Sequence, residues 1–383
     1  MNKRVFVCTD KKFPRGDAGS NRILNICRAL ELCGHKTYVI GHGKSGYGEY
    51  NGIKYYNVKC SKNIISRVMR FIFGGKQMIA ELKKNNFSKD DFCVFYMNSY
   101  FSLRTLLNYT YKKIGASVAT DVVEWHQPYQ MGGKNSLTYK LYKRMFDKLY
   151  PESKKVIPIS KCLQVHFESV GCETCLIPIF IDPQEHPFEE RKSNGYVNLV
   201  YAGNPYLKED FECMLKALSS LPDDVRSRFK FHLAGVSQET LFSAAGPDAE
   251  IILEILKDNL IRYDWLNFDE LLKLYSKMDF LYVAKLENTV NIAGFPSKIP
   301  EMMASGVVPI INRIGDIIDY LSDGVDSILY ENANTEDCRN ALLKVAKLTD
   351  EDISLMRRSA RNTACNAFDY RVWGEKISYF FNK

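Results

Sequence analysis

No part of this 383-residue chain approaches the run of ~18 apolar residues that a bilayer-spanning helix needs. The first apolar run, Val5-Phe-Val-Cys8, is too short for a secretion-signal core and is closed by Asp10-Lys-Lys. The Gly-x-Gly-x-x-Gly spacing of dinucleotide sites is missing, which argues against NAD or FAD. Cys162, His166, Cys172 and Cys175 include a single Cys-x-x-Cys and no second pair, so they do not make a zinc framework, and no metal is expected. The 11 cysteines are odd in number and scattered, which suits reduced thiols in a cytosolic protein. No nucleic-acid-binding motif accompanies the basic charge. Long repeats and low-complexity tracts are also missing. The expectation is a cytoplasmic chain whose membrane contact, if any, is peripheral and at the inner face.

What is present is globular. At 46% hydrophobic content, a chain of 383 residues is long enough for two domains, each with its own core. Net charge is +7 and aromatic content 13%, which favours anionic partners such as nucleotides or lipid headgroups. The opening reads as strand (5–9), glycine-containing loop, amphipathic helix with Ile23, Leu24, Ile26, Cys27 and Leu30, then a strand (37–40) after Gly34. That order is what a doubly wound α/β fold requires. Further strands are expected at 92–97, 117–122, 156–160 and 174–178, with a helix over 99–111 and Ser160 capping a helix to 170. The polar stretch 185–195 reads as a linker. A second α/β domain follows: strands at 197–201, 229–234 and 278–283, a helix carrying Lys208, and a helix capped near Asn267. Residues 336–367 read as two helices and 370–381 as a last one.

Two stretches are basic and apolar together. One is 61–87, with Ile64, Ile65, Val68, Met69, Phe71, Ile72 and Phe73 among Lys62, Arg67, Arg70 and Lys76. The other is 134–155, which interleaves Tyr139, Tyr142, Phe146 and Tyr150 with Lys140, Lys143, Arg144, Lys148, Lys154 and Lys155. Either can be a half-buried helix with solvated lysines or a helix lying on an anionic membrane.

The most informative stretch is Gly294-Phe-Pro-Ser-Lys-Ile-Pro-Glu301-Met-Met-Ala-Ser-Gly306-Val-Val-Pro309-Ile-Ile311. It reads as a loop, a short helix capped by Ser297, a turn at Gly306 and a buried strand. Pro300 suits a first helical turn, and Pro309 is the awkward residue of the strand. Unpaired N–H groups at a helix start favour an anion, and Lys298 adds a full charge there. Glu301, one turn in, can accept hydrogen bonds from vicinal hydroxyls.

This run, with 197–208, resembles the donor-binding signature of retaining nucleotide-sugar glycosyltransferases. These are the GT-B enzymes of the glycogen-synthase and sucrose-synthase type (glycosyl transferases group 1), common in bacterial polysaccharide assembly. The resemblance implies two Rossmann-like domains facing a cleft and a C-terminal helix crossing back to the first. The N-terminal acceptor domain would span 1–182, completed by 368–383, and the donor domain 183–367. It implies transfer of a sugar from a UDP- or GDP-linked donor to a hydroxyl acceptor (a glycan or lipid-linked oligosaccharide), with retention, without metal or further cofactor. Glu301 matches the signature's second glutamate, which binds ribose. The first glutamate, eight residues earlier, falls on Ala293. Ser297 and Lys298 match the Pro-Ser-Lys variant of the signature.

The same resemblance assigns Gly19, Gly203, Asn204, Lys208, Ser297 and Lys298 to the donor phosphates, with Asn204 where an arginine is usual. Tyr263, Trp265 and Leu266 stand where the nucleobase is held. His126 resembles the histidine that bonds the donor sugar, and Lys298 and Glu301 complete the catalytic set. Arg15, Asp17, Glu124 and Trp125 are the acceptor-side candidates. Ala293 and Asn204 leave open an alternative, a catalytically silent nucleotide-binding subunit that scaffolds a partner. A nucleotide-sugar epimerase shares the architecture but needs acid–base carboxylates.

Overall fold

A computed structural model describes residues 3–59, 63–205 and 208–383. The chain divides into two compact units. One comprises Met1–Ile181, Ala293–Phe295 and Tyr370–Lys383; the other Asp182–Ile292 and Pro296–Asp369.

Among the described residues, the first unit holds an eight-stranded sheet. Its strands are β1 (Arg4–Lys12), β2 (Lys36–Gly43), β3 (Gly46–Tyr50), β4 (Ile53–Lys59), β5 (Phe92–Tyr96), β6 (Ser117–Val122), β7 (Lys155–Pro158) and β8 (Glu173–Thr174). The order is β3-β4-β2-β1-β5-β6-β7-β8, parallel throughout except the β3–β4 hairpin. The central strands are buried on both faces, so they read as continuous apolar runs: Phe92-Cys-Val-Phe-Tyr96 is wholly buried. The helix Ala18–Leu32 starts at Asp17, whose side chain accepts from the Ser20 N–H, and the turn at Gly34 ends it with φ +82°. Arg22 on that helix is fully buried and forms a bidentate pair with Asp121 at 2.8 Å, while also donating to the carbonyls of Ile177 and Pro178. The last helix, Tyr370–Asn382, packs on Ala18–Leu32, and Gly374 lets it approach: an added Cβ would lie 2.9 Å from the Ala29 carbonyl oxygen.

The second unit holds a six-stranded, all-parallel sheet. Its strands are β9 (Val197–Ala202), β10 (Phe229–Ala234), β11 (Leu260–Tyr263), β12 (Phe280–Tyr282), β13 (Val308–Asn312) and β14 (Ile328–Tyr330), ordered β11-β10-β9-β12-β13-β14. The chain winds outward from β9 to β11 and then returns to the other side of β9. The switch point therefore lies between β9 and β12, and the crevice beyond their carboxyl ends is where such sheets place ligands.

Several sequence expectations need correction. Lys208 is not helical; the helix begins at Phe211, capped by Asp210. The strand expected over 174–178 is named only as Glu173–Thr174, yet Cys175 and Ile177 still donate to the Val156 and Pro158 carbonyls. Pro178 has no N–H to continue that ladder. The helix over 99–111 is α-helical to Leu107 and widens to a π-helix over Asn108–Lys113. The basic stretch forms the helix Ile64–Lys84, but Lys62 and the side chains of Ile64, Ile65 and Arg67 lie outside the described residues. Among the described residues, no helix is long and apolar enough to cross a membrane.

Candidate functional site

The carboxyl ends of β9 and β12 gather a group of charges in the second unit. β9 ends in Tyr201-Ala-Gly203, where φ of +113° at Gly203 turns the chain out of the sheet. Three residues past β12 the chain forms an isolated antiparallel bridge, Lys285 with Glu209. Leu286 N–H donates to the Lys208 carbonyl at 3.1 Å, and Asn291 Nδ2 ties the same carbonyl to that of Leu286 at 2.7 and 2.8 Å. Asn312, at the end of β13, brackets Lys285 through its backbone N–H and carbonyl. Segments far apart in sequence are thus held to one corner by backbone bonds and by two asparagine side chains.

Within that corner, Lys285 Nζ and the Glu209 carboxylate pair at 2.5 Å, both buried. Burial alone would raise the Glu209 carboxyl, but Lys285, Lys298 and Lys208 outweigh it and hold it below the usual carboxylate range. Lys298, from the helix Lys298–Ala304, brings its Nζ 4.6 Å from the centroid of the Tyr201 ring. The same Nζ lies 2.9 Å from where a side chain at Gly203 would begin. Glycine at 203 therefore serves two ends: it accepts the positive φ and leaves room for the ammonium group.

Burial pushes Lys298 down to about 8, with Lys285 and Lys208 adding to the effect and Glu209 and Glu301 opposing it. A cation held so is uncomfortable until an anion arrives. Three lysines face two glutamates, and one glutamate is already spent on Lys285. What the corner lacks is negative charge. Glu301 sits one turn along the helix from Lys298, close enough for its charge to be felt there and at Tyr275.

Ser297 departs from expectation. Its backbone is already helical (φ −56°, ψ −30°) and its side chain makes no capping bond. An N-cap needs an extended backbone to turn its hydroxyl back onto the helix start, so the capping role is withdrawn. The helix is also only seven residues long, and its dipole is correspondingly small. The positive charge of this corner therefore comes from lysine side chains.

The base candidates separate. Tyr263 Oη meets His232 Nδ1 at 2.9 Å, and His232 Nε2 meets Asn198 at 3.3 Å. Asn198 is the second residue of β9, roughly 16 Å of strand from Gly203. The Tyr263 side chain is thus turned toward the amino end of the sheet, away from the lysines. Tyr263 and Leu266 line a separate cavity of about 720 Å³. Trp265 is 88% exposed.

In the first unit, His126 and Glu124 follow β6 and face each other at 3.2 Å. Tyr142 steadies them, accepting from the His126 N–H at 2.9 Å and donating to the Glu124 carbonyl at 3.3 Å. Trp125 packs instead against Phe146 and His166, with ring centroids 4.9 and 4.6 Å away. The same packing occupies His166, while Cys172 and Cys175 face the carbonyls of Pro151 and Lys376. Asp17 caps its helix and lies 3.6 Å from Lys11. Arg15 bonds the Tyr50 hydroxyl at 2.8 Å. Gly19 leaves space for Tyr96, whose hydroxyl would lie 2.9 Å from an added Cβ. Asn204 is exposed, and its carbonyl accepts from the Tyr201 hydroxyl at 3.1 Å.

Sequence reasoning overlooked Glu209, Lys285, Asn291 and Tyr201. Only Lys285 left a signal, as a lone charge directly after the apolar run Phe280-Leu-Tyr-Val-Ala284, at the carboxyl end of a strand.

Residues 197–347 match the model of the family Glycosyl transferases group 1. No curated protein sequence matches the chain. Among solved structures, sucrose-phosphate synthase from Thermosynechococcus elongatus is similar with a TM-score of 0.72 at 12% identity, over 100% of this chain and 98% of that one. A glycosyltransferase from Rickettsia africae follows at 0.65 and 14%, over 100% and 98%. Anabaena HepE, solved in complex with UDP and glucose, reaches 0.68 at 12%, over 99% of each chain. The fold is that of the GT-B structures, two Rossmann-like units, along the whole chain.

Proposed function

We propose that the chain moves a sugar from a nucleotide diphosphate sugar to a hydroxyl acceptor, as the match of residues 197–347 to the group 1 glycosyltransferase model suggests. The observation that carries this is the Lys298 ammonium held beside Gly203 at the switch point of the second sheet, with Lys208 and Lys285 adding charge. A diphosphate placed there meets the cations whose mutual repulsion it relieves. As the bond to the sugar breaks, negative charge grows on the departing phosphate, and fixed lysines stabilise it without a metal. Glu301 accepts from the ribose hydroxyls. His126, oriented by Glu124 and Tyr142, bonds the donor sugar. Asn204, an exposed residue, contacts the phosphates. Trp265 and Leu266, with the backbone at Tyr263, hold the base, and a uridine or guanosine diphosphate sugar is the donor. Retention is part of the reading. In it, a donor phosphate oxygen takes the acceptor's proton, so no protein carboxylate is assigned as base.

The acceptor in this reading is a glycan, free or lipid-linked, in polysaccharide assembly. Support for a lipid-linked one comes from the helix Ile64–Lys84, which exposes Val68, Met69, Phe71, Ile72 and Phe73 beside Arg70 and Lys76. Binding to anionic vesicles at low salt tests it, and its absence removes the membrane part.

The central experiment is a thermal-shift panel of UDP, GDP, ADP and CMP with their common sugars, followed by turnover with the hit. Saturating ligand stabilises by a few kcal/mol, about 2.7 at a hundred times Kd. A clear hit with turnover supports the enzyme; a hit with neither hydrolysis nor transfer favours a silent nucleotide-binding subunit; no hit removes the donor site. Glu301→Ala is expected to raise the donor KM about 10- to 100-fold, the loss of a charged hydrogen bond to ribose. Wild-type donor kinetics in that variant would sink the ribose assignment.

A further inference from the structure

The basic stretch 134–155 does not present a flat, solvated face. In the first unit its helix Leu137–Arg144 runs beside the helix Tyr100–Leu107, and a groove of about 650 Å³ lies between them. Tyr100, Arg104, Asn108 and Lys112, four residues apart, line one wall. Lys140, Lys143, Arg144 and Lys148 line the other, and Lys134 stands in the turn before it. Both walls widen to a π-helix along the groove, over Asn108–Lys113 and Met145–Leu149. Such segments are rare and are found frequently at functional sites.

Seven cations and two carboxylates line this groove, a net +5 in a chain whose whole net charge is +7. Both carboxylates are already engaged. Glu152 holds Lys112 at 2.5 Å, and Asp147 holds Lys143 at 2.5 Å. Among the described residues, Arg104, Lys134, Lys140, Arg144 and Lys148 pair with no carboxylate, and all five are exposed. Solvated lysines on an ordinary helix spread outward. These cations converge on one groove, where an anion relieves their mutual repulsion and reaches them without moving the core.

The chemistry of that anion follows from spacing and charge. Arg104 and Lys112 stand roughly 12 Å apart along their helix, beyond the span of one phosphate. A phosphomonoester carries about −1.5 to −2 and three acceptor oxygens, so two of them approach the charge of five cations where two carboxylates fall short. Arg104 and Arg144 bring the planar forks that grip phosphate oxygens in pairs. A nucleic-acid strand fits less well, because its bases stack on exposed rings. The Tyr100 ring is buried, and the Arg144 guanidinium covers it at 5.9 Å. Two sources supply clustered phosphoryl groups: a soluble oligophosphate, or the headgroup of a phospholipid with two phosphates. In the second case the exposed Phe101, edge-on to Tyr100 and Phe71 at the head of the groove, faces the acyl chains.

We propose that the groove between the helices Tyr100–Leu107 and Leu137–Arg144, with their π-helical continuations, binds an extended anion carrying two or more phosphoryl groups. The site uses none of the donor candidates and does not rest on the glycosyltransferase reading.

The test uses the full chain carrying Lys298→Met, so that the lysine corner of the second unit adds little signal. Calorimetry at low salt reads binding of tripolyphosphate, and flotation reads binding to phosphatidylcholine vesicles with and without cardiolipin. At least one of the two probes is expected to bind, and more weakly as salt rises. Tripolyphosphate binding assigns a soluble source; binding to cardiolipin vesicles alone assigns the lipid. Arg104→Glu with Lys140→Glu, both on exposed helix surface, is expected to weaken either one at least tenfold. Placed in the chain with Lys298 intact, the same pair should leave the nucleotide thermal shift as in wild type. Should the reversed pair fold poorly, Arg104→Gln and Lys140→Gln singly are each expected to weaken binding about threefold. The proposal is overturned if neither probe binds, or if binding survives these variants. It is also overturned if poly-glutamate competes as well as tripolyphosphate, since the groove then reads charge alone.

Discussion

Lys298 gives the proposed donor site a measurable proton linkage. Its folded-state value near 8 means that, in the free protein, about half the population is charged at pH 8 and about nine-tenths at pH 7. A diphosphate at its Nζ favours the charged form and returns the group toward its ordinary range above 10. Binding at pH 8 should then take up about half a proton per nucleotide, and at pH 7 only about a tenth. Affinity follows the charged fraction. Between pH 7 and pH 8.5 that fraction falls from about 0.9 to about 0.24, so Kd should rise nearly fourfold.

UDP-glucose is a suitable probe, since a phosphate diester has no proton to lose in this window. Calorimetry at pH 8 in two buffers of different ionisation enthalpy reads the proton count directly. Lys298→Arg stays charged and should give a flat pH profile, while Lys298→Met should bind weakly at every pH with no uptake. A wild-type uptake near zero at pH 8 with a flat profile refutes the placement of the diphosphate at Lys298. So does wild-type uptake persisting in Lys298→Met.

Two further outcomes follow from the same geometry. Gly203→Ala meets both a positive φ and the Lys298 ammonium at 2.9 Å, so it is expected to cost about 1–3 kcal/mol in strain and to raise the donor KM; an unchanged KM shows that the ammonium has room elsewhere. His42 and His232, one in each unit, both sit near 4 because burial disfavours the charged ring, against 6.5 when unfolded. The unfolded chain then binds more protons between those values, so stability is lost as pH falls from about 6.5 to 4, by about 3 kcal/mol for each histidine. Thermal melts across that range check it, and His232→Gln should flatten the acid loss of the second unit.

Local sequence signals read the sheets well because these strands are buried on both faces. Continuous apolar runs such as 197–201 and 229–234 have few other interpretations in a chain punctuated by glycine. The loop–helix–turn–strand order around Glu301 was legible for the same reason: Pro296, Gly306 and the run 307–311 each act on their own neighbours. What stayed hidden depends on strand order. Glu209 and Lys285 pair across 76 residues, and nothing periodic in either segment announces the other. Tyr201 read as core, and its ring is indeed buried, yet one face of that ring receives Lys298. Tyr263 was a base candidate by its place in the chain, but the pleat of β11 sends its side chain toward His232 instead.

Ala293 raises the question of a missing catalytic group, since the resembled signature carries a glutamate there. Its surroundings answer differently. Ala293 is fully buried within the first unit, and its carbonyl accepts from Ser160 Oγ at 2.7 Å. The same hydroxyl accepts from the Leu163 N–H at 3.3 Å and so caps the helix Lys161–Ser169. One serine thus joins a helix start to this segment, in which Ala293 is fully buried. A glutamate at 293 would bring four more heavy atoms, an unpaired carboxylate among them, into that packing. Breaking even a paired charge in such surroundings costs about 3–5 kcal/mol, and overpacking adds about 1–3. Ala293→Glu should therefore lower the melting temperature by many degrees and fail to raise transfer. Ala293→Ser, nearly isosteric, serves as the mild control. A stable Ala293→Glu protein with faster donor turnover would show that the position does reach the sugar, and that alanine there marks a lost function rather than a packing choice.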